Sequence, residues 1–350
     1  MSRRTSAGVT AVVLLVATWL VATLVPTNYV VYSPGPTVNL LAKEKGGDLV
    51  RVSGAKAYRD KGALRLLTVV PTGPDDRVYL AEAMFAWLNP KQAVYRESDI
   101  YQPQENSDKV EAESAVDMVN SQDSAIASAL HELGYKFGTS VQILGVTRGG
   151  PGDGALEVHD KILAVDGART KTLEAVVDRI RKVSPGDKIA LRIQRRNKQE
   201  TVKVKTVASE DDPKSSALKV TVGRGYEFPV KVSLKISSLI GGPSAGTMFA
   251  LAIYDTLTPG SLTGGGDVAG TGEIDAQGHV GGIGGIQQKL AAAQAAGATL
   301  FLAPASNCDE VKGGPYDPDK MRVVKISTLA GAIQAVKAWR QNPDAKLPQC

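Results

Sequence analysis

Apolar and polar residues follow several different periods along these 350 residues, and each change of period marks a change of architecture. Val9 to Val25 is a dense apolar run inside an uncharged stretch from Thr5 to Ala42. Roughly 17 to 25 apolar residues in a helix cross a bilayer. Arg3 and Arg4 stand just ahead of the run, and the next positive charge is Lys43. That asymmetry predicts a cytoplasmic tail at 1–8, a single span at 9–25 and a body outside the cytoplasm. A cleaved signal peptide opens the same way. The apolar core is long for one, and no clean small-x-small site followed by a polar stretch appears after it, which favours an uncleaved anchor.

Residues 26–133 mix both periods. Tyr32-Ser-Pro-Gly-Pro36 is expected to be a turn-rich exit from the span. Leu64 to Val70 is a strand candidate ended by Pro71, and Leu80 to Leu88 has helical spacing up to Asn89-Pro90. After a polar stretch at Tyr101 to Asp108, Val110 to Leu133 predicts a long helix with Val116, Met118, Val119, Ala125, Ile126, Ala129 and Leu130 as its apolar positions. From about Gly134 to Val207 the rhythm becomes short strands around one helix. Ser140 to Val146, Leu156 to Gly167, Lys188 to Arg195 and Gln199 to Val207 are the extended pieces. Thr172 to Lys182 is an amphipathic helix with Thr172 as N-cap.

Beyond residue 208, Val230 to Ile236 alternates as a strand and leads into Leu239-Ile-Gly-Gly-Pro-Ser-Ala-Gly246, where an apolar helix from Ser244 to Leu257 begins. A serine there sits at a helix N-terminus, whose free N–H groups and dipole favour negative charge. A nucleophile that generates an oxyanion beside itself benefits from that place. Val268 to Ile274 predicts a further strand, Gln287 to Ala296 a second helix, and Thr299 to Ala303 another strand. The second helix carries one basic residue, Lys289, among Ile286, Leu290, Ala291, Ala292 and Ala293. A lysine serves as general base only when burial or neighbouring positive charge brings its pKa down toward about 7 to 8. An ordinary exposed lysine on an amphipathic helix fits the same spacing.

Composition narrows the function classes. The net charge of +5 is small for this length, no Lys/Arg block forms a nucleic-acid surface, and aromatics at 5% are too sparse for base stacking. The three histidines and two cysteines have no zinc spacing, so no metal site and no cofactor are expected. In an exported body Cys308 and Cys350 are free to form a disulfide, worth roughly 4 kcal/mol by loop closure; the sequence leaves the pairing open. Ser-x-x-Lys occurs at Ser53-Gly-Ala-Lys56 and Ser216-Ala-Leu-Lys219 without the companion motifs of penicillin-binding enzymes. Neither GxGxxG nor GxxxxGK[ST] is present, so no ATP site is expected.

Two resemblances follow from these motifs. The run Gly149 to Gly167, with LEVHDKILAVDG, resembles the PDZ signature, except that His159 stands where that family usually has Gly. The resemblance implies peptide capture by strand addition, with a carboxylate loop near Gly134-Tyr-Lys-Phe-Gly138. GGPSAGTMFALAI and GTGEIDAQGHVGGIGGIQQKLAAAQAAGATLFLAP resemble the serine and lysine motifs of the Lon protease family. By position this resemblance makes Ser244 the nucleophile and Lys289 the general base of a Ser–Lys dyad. Thr271 would hold the lysine amine, and Gly242 would supply an oxyanion amide, since Pro243 has no N–H. Gly241 replaces the family's Asp, and Gln287 replaces the first lysine of its KEK.

The expected architecture is α/β (α+β) and multidomain: a transmembrane helix, a 26–133 segment, a PDZ domain at 134–207 and a Lon-type proteolytic domain at 208–350. On length, the 26–133 segment is expected to be the first part of a split proteolytic domain. The expected activity is that of an ATP-independent serine endopeptidase at the cell membrane. Its catalytic part lies outside the cytoplasm, and it acts on exported or membrane proteins presented or gated by the PDZ module. Self-association is left open. The alternative is a catalytically silent, membrane-tethered adaptor that binds peptide tails.

Overall fold

The computed structural model describes residues 3–44, 47–59, 61–103, 105–210, 212–236 and 242–350. The apolar run forms helix α1 (Arg3–Leu24), with all but Ala22 exposed. Two strands follow, β1 (Tyr29–Asn39) and β2 (Ala63–Pro71), then α2 (Leu80–Leu88), β3 (Ala93–Arg96) and the long α3 (Ser107–Glu132). Asn106 caps α3, its side chain accepting from the Lys109 N–H at 2.9 Å.

The expected turn at Tyr32 to Pro36 is instead the middle of β1. Both prolines fall where the ladder allows them. β3 pairs with β1 only from Tyr29 to Tyr32, so the stretch holding Pro34 and Pro36 has no neighbour on that side, and the register with β2 shifts between Pro34 and Thr37. Gly35 passes so close to Thr68 that any Cβ would overlap it.

The middle of the chain folds as strands β4 (Gly138–Val146) and β5 (Lys161–Val165), helix α4 (Leu173–Arg181), and strands β6 (Lys188–Arg195), β7 (Lys198–Lys205) and β8 (Val220–Glu227). The sheet order is β7-β6-β5-β4-β8, antiparallel throughout, so it extends past residue 207. Thr172 caps α4, accepting from the Ala175 N–H. Ile143, Ile162, Val165, Val176, Ile189, Leu191 and Ile193 fill the core under that helix.

The last part supplies α5 (Gly246–Leu257), β9 (Asp267–Gly270), β10 (Glu273–Ile274), α6 (Ile286–Ala295), β11 (Leu300–Pro304), β12 (Arg322–Ile326) and α7 (Leu329–Gln341). Its strands join those from the first part in one six-stranded sheet, β12-β11-β9-β2-β1-β3. β9 runs parallel to both β2 and β11. Arg65 clamps the junction, its guanidinium donating to both carboxylate oxygens of Asp267 at 2.7 and 2.6 Å. Val50–Ser53 also pairs with Lys231–Leu234. Residues on both sides of the β4–β8 sheet thus build one body.

α3 is the joint. Its buried face packs on α5, and Ala125 to Leu130 are buried without a break. Tyr135 and Phe137, in the expected carboxylate loop, turn toward this same core, and Phe137 packs edge-on against Tyr226 and Phe228. His159 adopts φ +70°, the left-handed region where glycine is at ease, which accounts for the glycine usual at that place. Its Nε2 lies 3.2 Å from both carboxylate oxygens of Asp123 on α3.

Candidate active site

Residues 237–241, including Leu239 to Gly241 of the expected turn, lie outside the described residues. From Gly242 onward the geometry is defined. Gly242 has φ +85°, a conformation that a side chain would strain. Pro243–Ala245 is a single 3₁₀ turn, and the α-helix begins at Gly246 rather than at Ser244. The cause is competition for carbonyls. In an α-helix the Ser244 carbonyl would accept from the N–H four residues on. Here it accepts from the Gly272 N–H at 2.9 Å and the Thr271 hydroxyl at 3.0 Å. The Pro243 carbonyl accepts from the buried Ser121 hydroxyl of α3 at 2.9 Å.

The expected strand Val268 to Ile274 is interrupted for the same reason. β9 ends at Gly270, β10 starts at Glu273, and Thr271-Gly272 turns between them toward the serine loop. Gly272 has φ +148°, and a Cβ there would meet Thr247 Oγ1 at 2.6 Å and Val280 Cγ1 at 2.7 Å. Thr247, in the first turn of α5, returns the contact, its N–H and hydroxyl both donating to the Gly272 carbonyl at 3.0 Å.

Lys289 enters from α6. Gly285, in the left-handed conformation, starts that helix, and its carbonyl accepts from the Lys289 N–H. Asn307 steadies the preceding glycines by bonding both the N–H and the carbonyl of Ile283. The helix packs on β1 and β2, leaving Lys289 1% exposed. Its Nζ donates to Thr271 Oγ1 at 3.1 Å. Burial brings the amine down from its ordinary value to about 7, with the carboxylate of Glu273 opposing. Burial and the charge of Asp117 hold the Glu273 carboxyl above its ordinary value.

Ser244, Thr271 and Lys289, separated by up to 45 positions, therefore meet in one place. Among the described residues they are joined through Thr271: the lysine amine donates to the threonine hydroxyl, which donates to the serine carbonyl. A direct bond between Ser244 Oγ and Lys289 Nζ is not formed. With one N–H held by Thr271, a neutral amine has its lone pair left to accept a proton. Gly242 flanks the serine turn. Sequence spacing does not reach Ser121 or Asn307. A serine among the buried positions of α3 is the one trace of the first, and nothing in the spacing marks the second.

Residues 239–337 match the family model of the Lon protease (S16) C-terminal proteolytic domain, and residues 110–206 that of the PDZ domain. Lon protease 2 of Sorangium cellulosum (strain So ce56) is 40% identical over 97 residues, covering 27% of this chain and 12% of that protein. Lon protease of Clostridioides difficile (strain 630) is 46% identical over 63 residues, 18% of this chain and 8% of that protein. The chain thus spans about a tenth of the length of these curated relatives. Among solved structures, the PDZ domain of an SdrC-like protein from Listeria innocua aligns over 24% of this chain and 92% of its own, at 24% identity and a TM-score of 0.22. The chain carries a PDZ domain and a Lon-type serine peptidase domain, behind one N-terminal helix apolar enough to cross a membrane.

Proposed function

We propose that the protein is an ATP-independent serine endopeptidase, anchored by α1, that cleaves exported or membrane proteins through Ser244 and Lys289. The observation that carries this reading is the amine of Lys289, which is buried, bonded to Thr271 and brought down to about 7. A buried amine that forms no ion pair among the described residues is costly to keep. A silent tail-binding adaptor has no use for one.

In the proposed reaction the neutral Lys289 amine takes the Ser244 hydroxyl proton as Oγ attacks the scissile carbonyl. The oxyanion is received by N–H groups of the serine turn and by Gly242. The resulting ammonium protonates the leaving amine, and the acyl-enzyme is hydrolysed by water that gives its proton to Lys289. Thr271 keeps the amine oriented through each transfer. The β4–β8 module presents chains to the site, and its attachment through α3, which also bonds the Pro243 carbonyl, supports a gating role.

The split arrangement of the proteolytic part, with 26–133 as its first portion, is supported by β2 pairing with β9 and by α3 packing on α5. The extracytoplasmic location is supported by the Cys308–Cys350 bond, with Cα atoms 4.8 Å apart, since such bonds persist in oxidising compartments. The deciding experiment is cleavage of an unstructured protein by the full chain without ATP. Ser244→Ala and Lys289→Ala are each expected to abolish it while leaving the fold intact, and undiminished cleavage in both variants would refute the dyad.

A further inference from the structure

α2 inverts the usual arrangement of a surface helix. Its inward positions, Ala81, Ala83 and Ala86, bury only methyl groups, while Met84, Phe85, Trp87 and Leu88 are 49%, 59%, 77% and 70% exposed. Contiguous large apolar side chains on a surface mark an interaction site. The one charged residue of the helix, Glu82, lines a mixed cleft with Ser33, Val70, Asp76, Gln92 and Phe85.

What covers the patch is indicated by its position. Leu80 donates its N–H to the carbonyl of Val25 at 3.0 Å, so α2 begins where α1 ends. Pro26 and Thr27 pair with Tyr79 and Val78. α2 then folds back along α1, bringing the Phe85 ring edge-on to Trp19 with centroids 5.4 Å apart. Trp19 lies five residues before Leu24, which at 1.5 Å per residue is about 7.5 Å along the axis. Helices lying in the membrane interface bury their apolar face by roughly 5 to 10 Å. The exposed side chains of α1 and α2 form one continuous apolar surface, so whatever surrounds the end of α1 also meets α2. Arg77 and Lys91 flank the helix, and Tyr29 and Tyr79 are exposed at the α1 exit, the residue types that favour anionic headgroups and the interface.

We propose that α2 is an interfacial membrane helix, its Met84, Phe85, Trp87 and Leu88 embedded at the headgroup–acyl boundary beside α1. The inference rests on the anchoring reading of α1 and adds an orientation to it. Two contacts side by side hold the body against the bilayer, where α1 alone would be a swivel. β1, which leaves this patch, continues into the wall on which the Lys289 helix packs. That gives the active-site body a fixed distance from the membrane and makes chain segments close to the bilayer its nearest substrates.

The chain has three tryptophans, Trp19, Trp87 and Trp339, so two reporters separate the two claims. The full chain is reconstituted in phosphatidylcholine–phosphatidylglycerol vesicles carrying bromine high on the acyl chain. Trp19→Phe with Trp339→Phe leaves Trp87 as reporter, and Trp87→Phe with Trp339→Phe leaves Trp19. Both reporters are expected to be quenched about twofold or more at this depth. Met84→Ser with Leu88→Ser should restore Trp87 emission and leave Trp19 unchanged. Unquenched Trp19 would sink the anchor and this inference together. Quenched Trp19 with Trp87 open to aqueous acrylamide would sink the inference alone. Trp87 shielded from both lipid and acrylamide would mean that a second copy covers the helix, which also overturns it. In the unsubstituted chain, a photoactivatable lipid should label residues 80–91, and labelling confined to α1 would count against α2.

Discussion

The protein buries charged side chains in two regions and treats them in opposite ways. In the β4–β8 module, Arg195 of β6 reaches the buried Asp160 with two hydrogen bonds of 2.7 and 2.5 Å and adds a third to the Ala155 carbonyl. Asp160 also accepts from the Glu157 N–H. Bonding to Asp160 holds the guanidinium above its already high ordinary value, and the charge is permanent. In the proteolytic body, Lys289 is as buried as Asp160 and bonds one hydroxyl. Its amine falls to about 7 and becomes free to exchange a proton. A fully paired buried charge is structural and chemically silent, whereas a buried charge denied its partner is reactive at neutral pH.

The sharpest way to break the comparison is to remove the unpaired member. Lys289→Met should cost on the order of 10⁴-fold or more in kcat/KM. The same change should stabilise the fold. The unfolded chain holds the lysine proton up to its ordinary pKa, while the folded chain releases it above about 7. Below the unfolded value the burial therefore costs free energy, about 3 kcal/mol at pH 8. Denaturant unfolding checks the gain, and a stability loss would contradict the account of the site.

Removing the paired member should do the reverse. Asp160→Asn leaves Arg195 without its bidentate partner and should destabilise the module by about 2 to 4 kcal/mol, with dyad labelling by a serine-directed reagent retained in whatever fraction stays folded. Midpoint shifts and labelling measured together test both halves.

A pH profile reads the same contrast without mutation. In the proposed mechanism only the neutral amine is active, so kcat/KM should fall about tenfold per pH unit below about 7 and level off above it. Thr271→Val should lower kcat by about 10- to 100-fold and displace that limb, whereas a threonine serving packing alone would leave the limb in place.

The smallest effect is expected at the seam. Asp123 holds His159 above its ordinary value, so the ionised pair contributes in full below about 6.5 and is lost as pH rises through the raised pKa. The protection of amides in the middle of α3, taken relative to intrinsic exchange at each pH, should fall over that range. His159→Gly relieves the left-handed strain and should make that protection independent of pH, with the activity limb near 7 unmoved.

Much of this was legible in the chain. The α2 bounds coincide with the apolar spacing from Leu80 to Leu88, and the long helix and the strands of the PDZ region fall within a few residues of the periodic segments. Periodicity failed where long-range bonds overrule local preference. Val268 to Ile274 alternates like one strand, yet Thr271 and Gly272 leave it to bond the Ser244 carbonyl. Pro34 and Pro36 signal a turn, yet a bulge and an open edge admit them to β1. Ser121 was invisible because its importance comes from the Pro243 carbonyl, 122 positions away. For the outward face of α2, the sequence shows the helix but not which side its alanines take.

The parallel pairing of β2 with β9 also sets a clock. Arg65 waits for Asp267, 202 residues later in the chain, and the sheet that positions Thr271 cannot close until then. At synthesis rates of 5 to 20 residues per second, that interval is about 10 to 40 s. Contacts of such sequence separation also form slowly. Ser244 is made before its partner Lys289, and the amine is buried only when the last strands arrive. On the proposed function, the catalytic power of the molecule is thereby postponed to the end of its own folding, when little unfolded chain of its own remains to be cut.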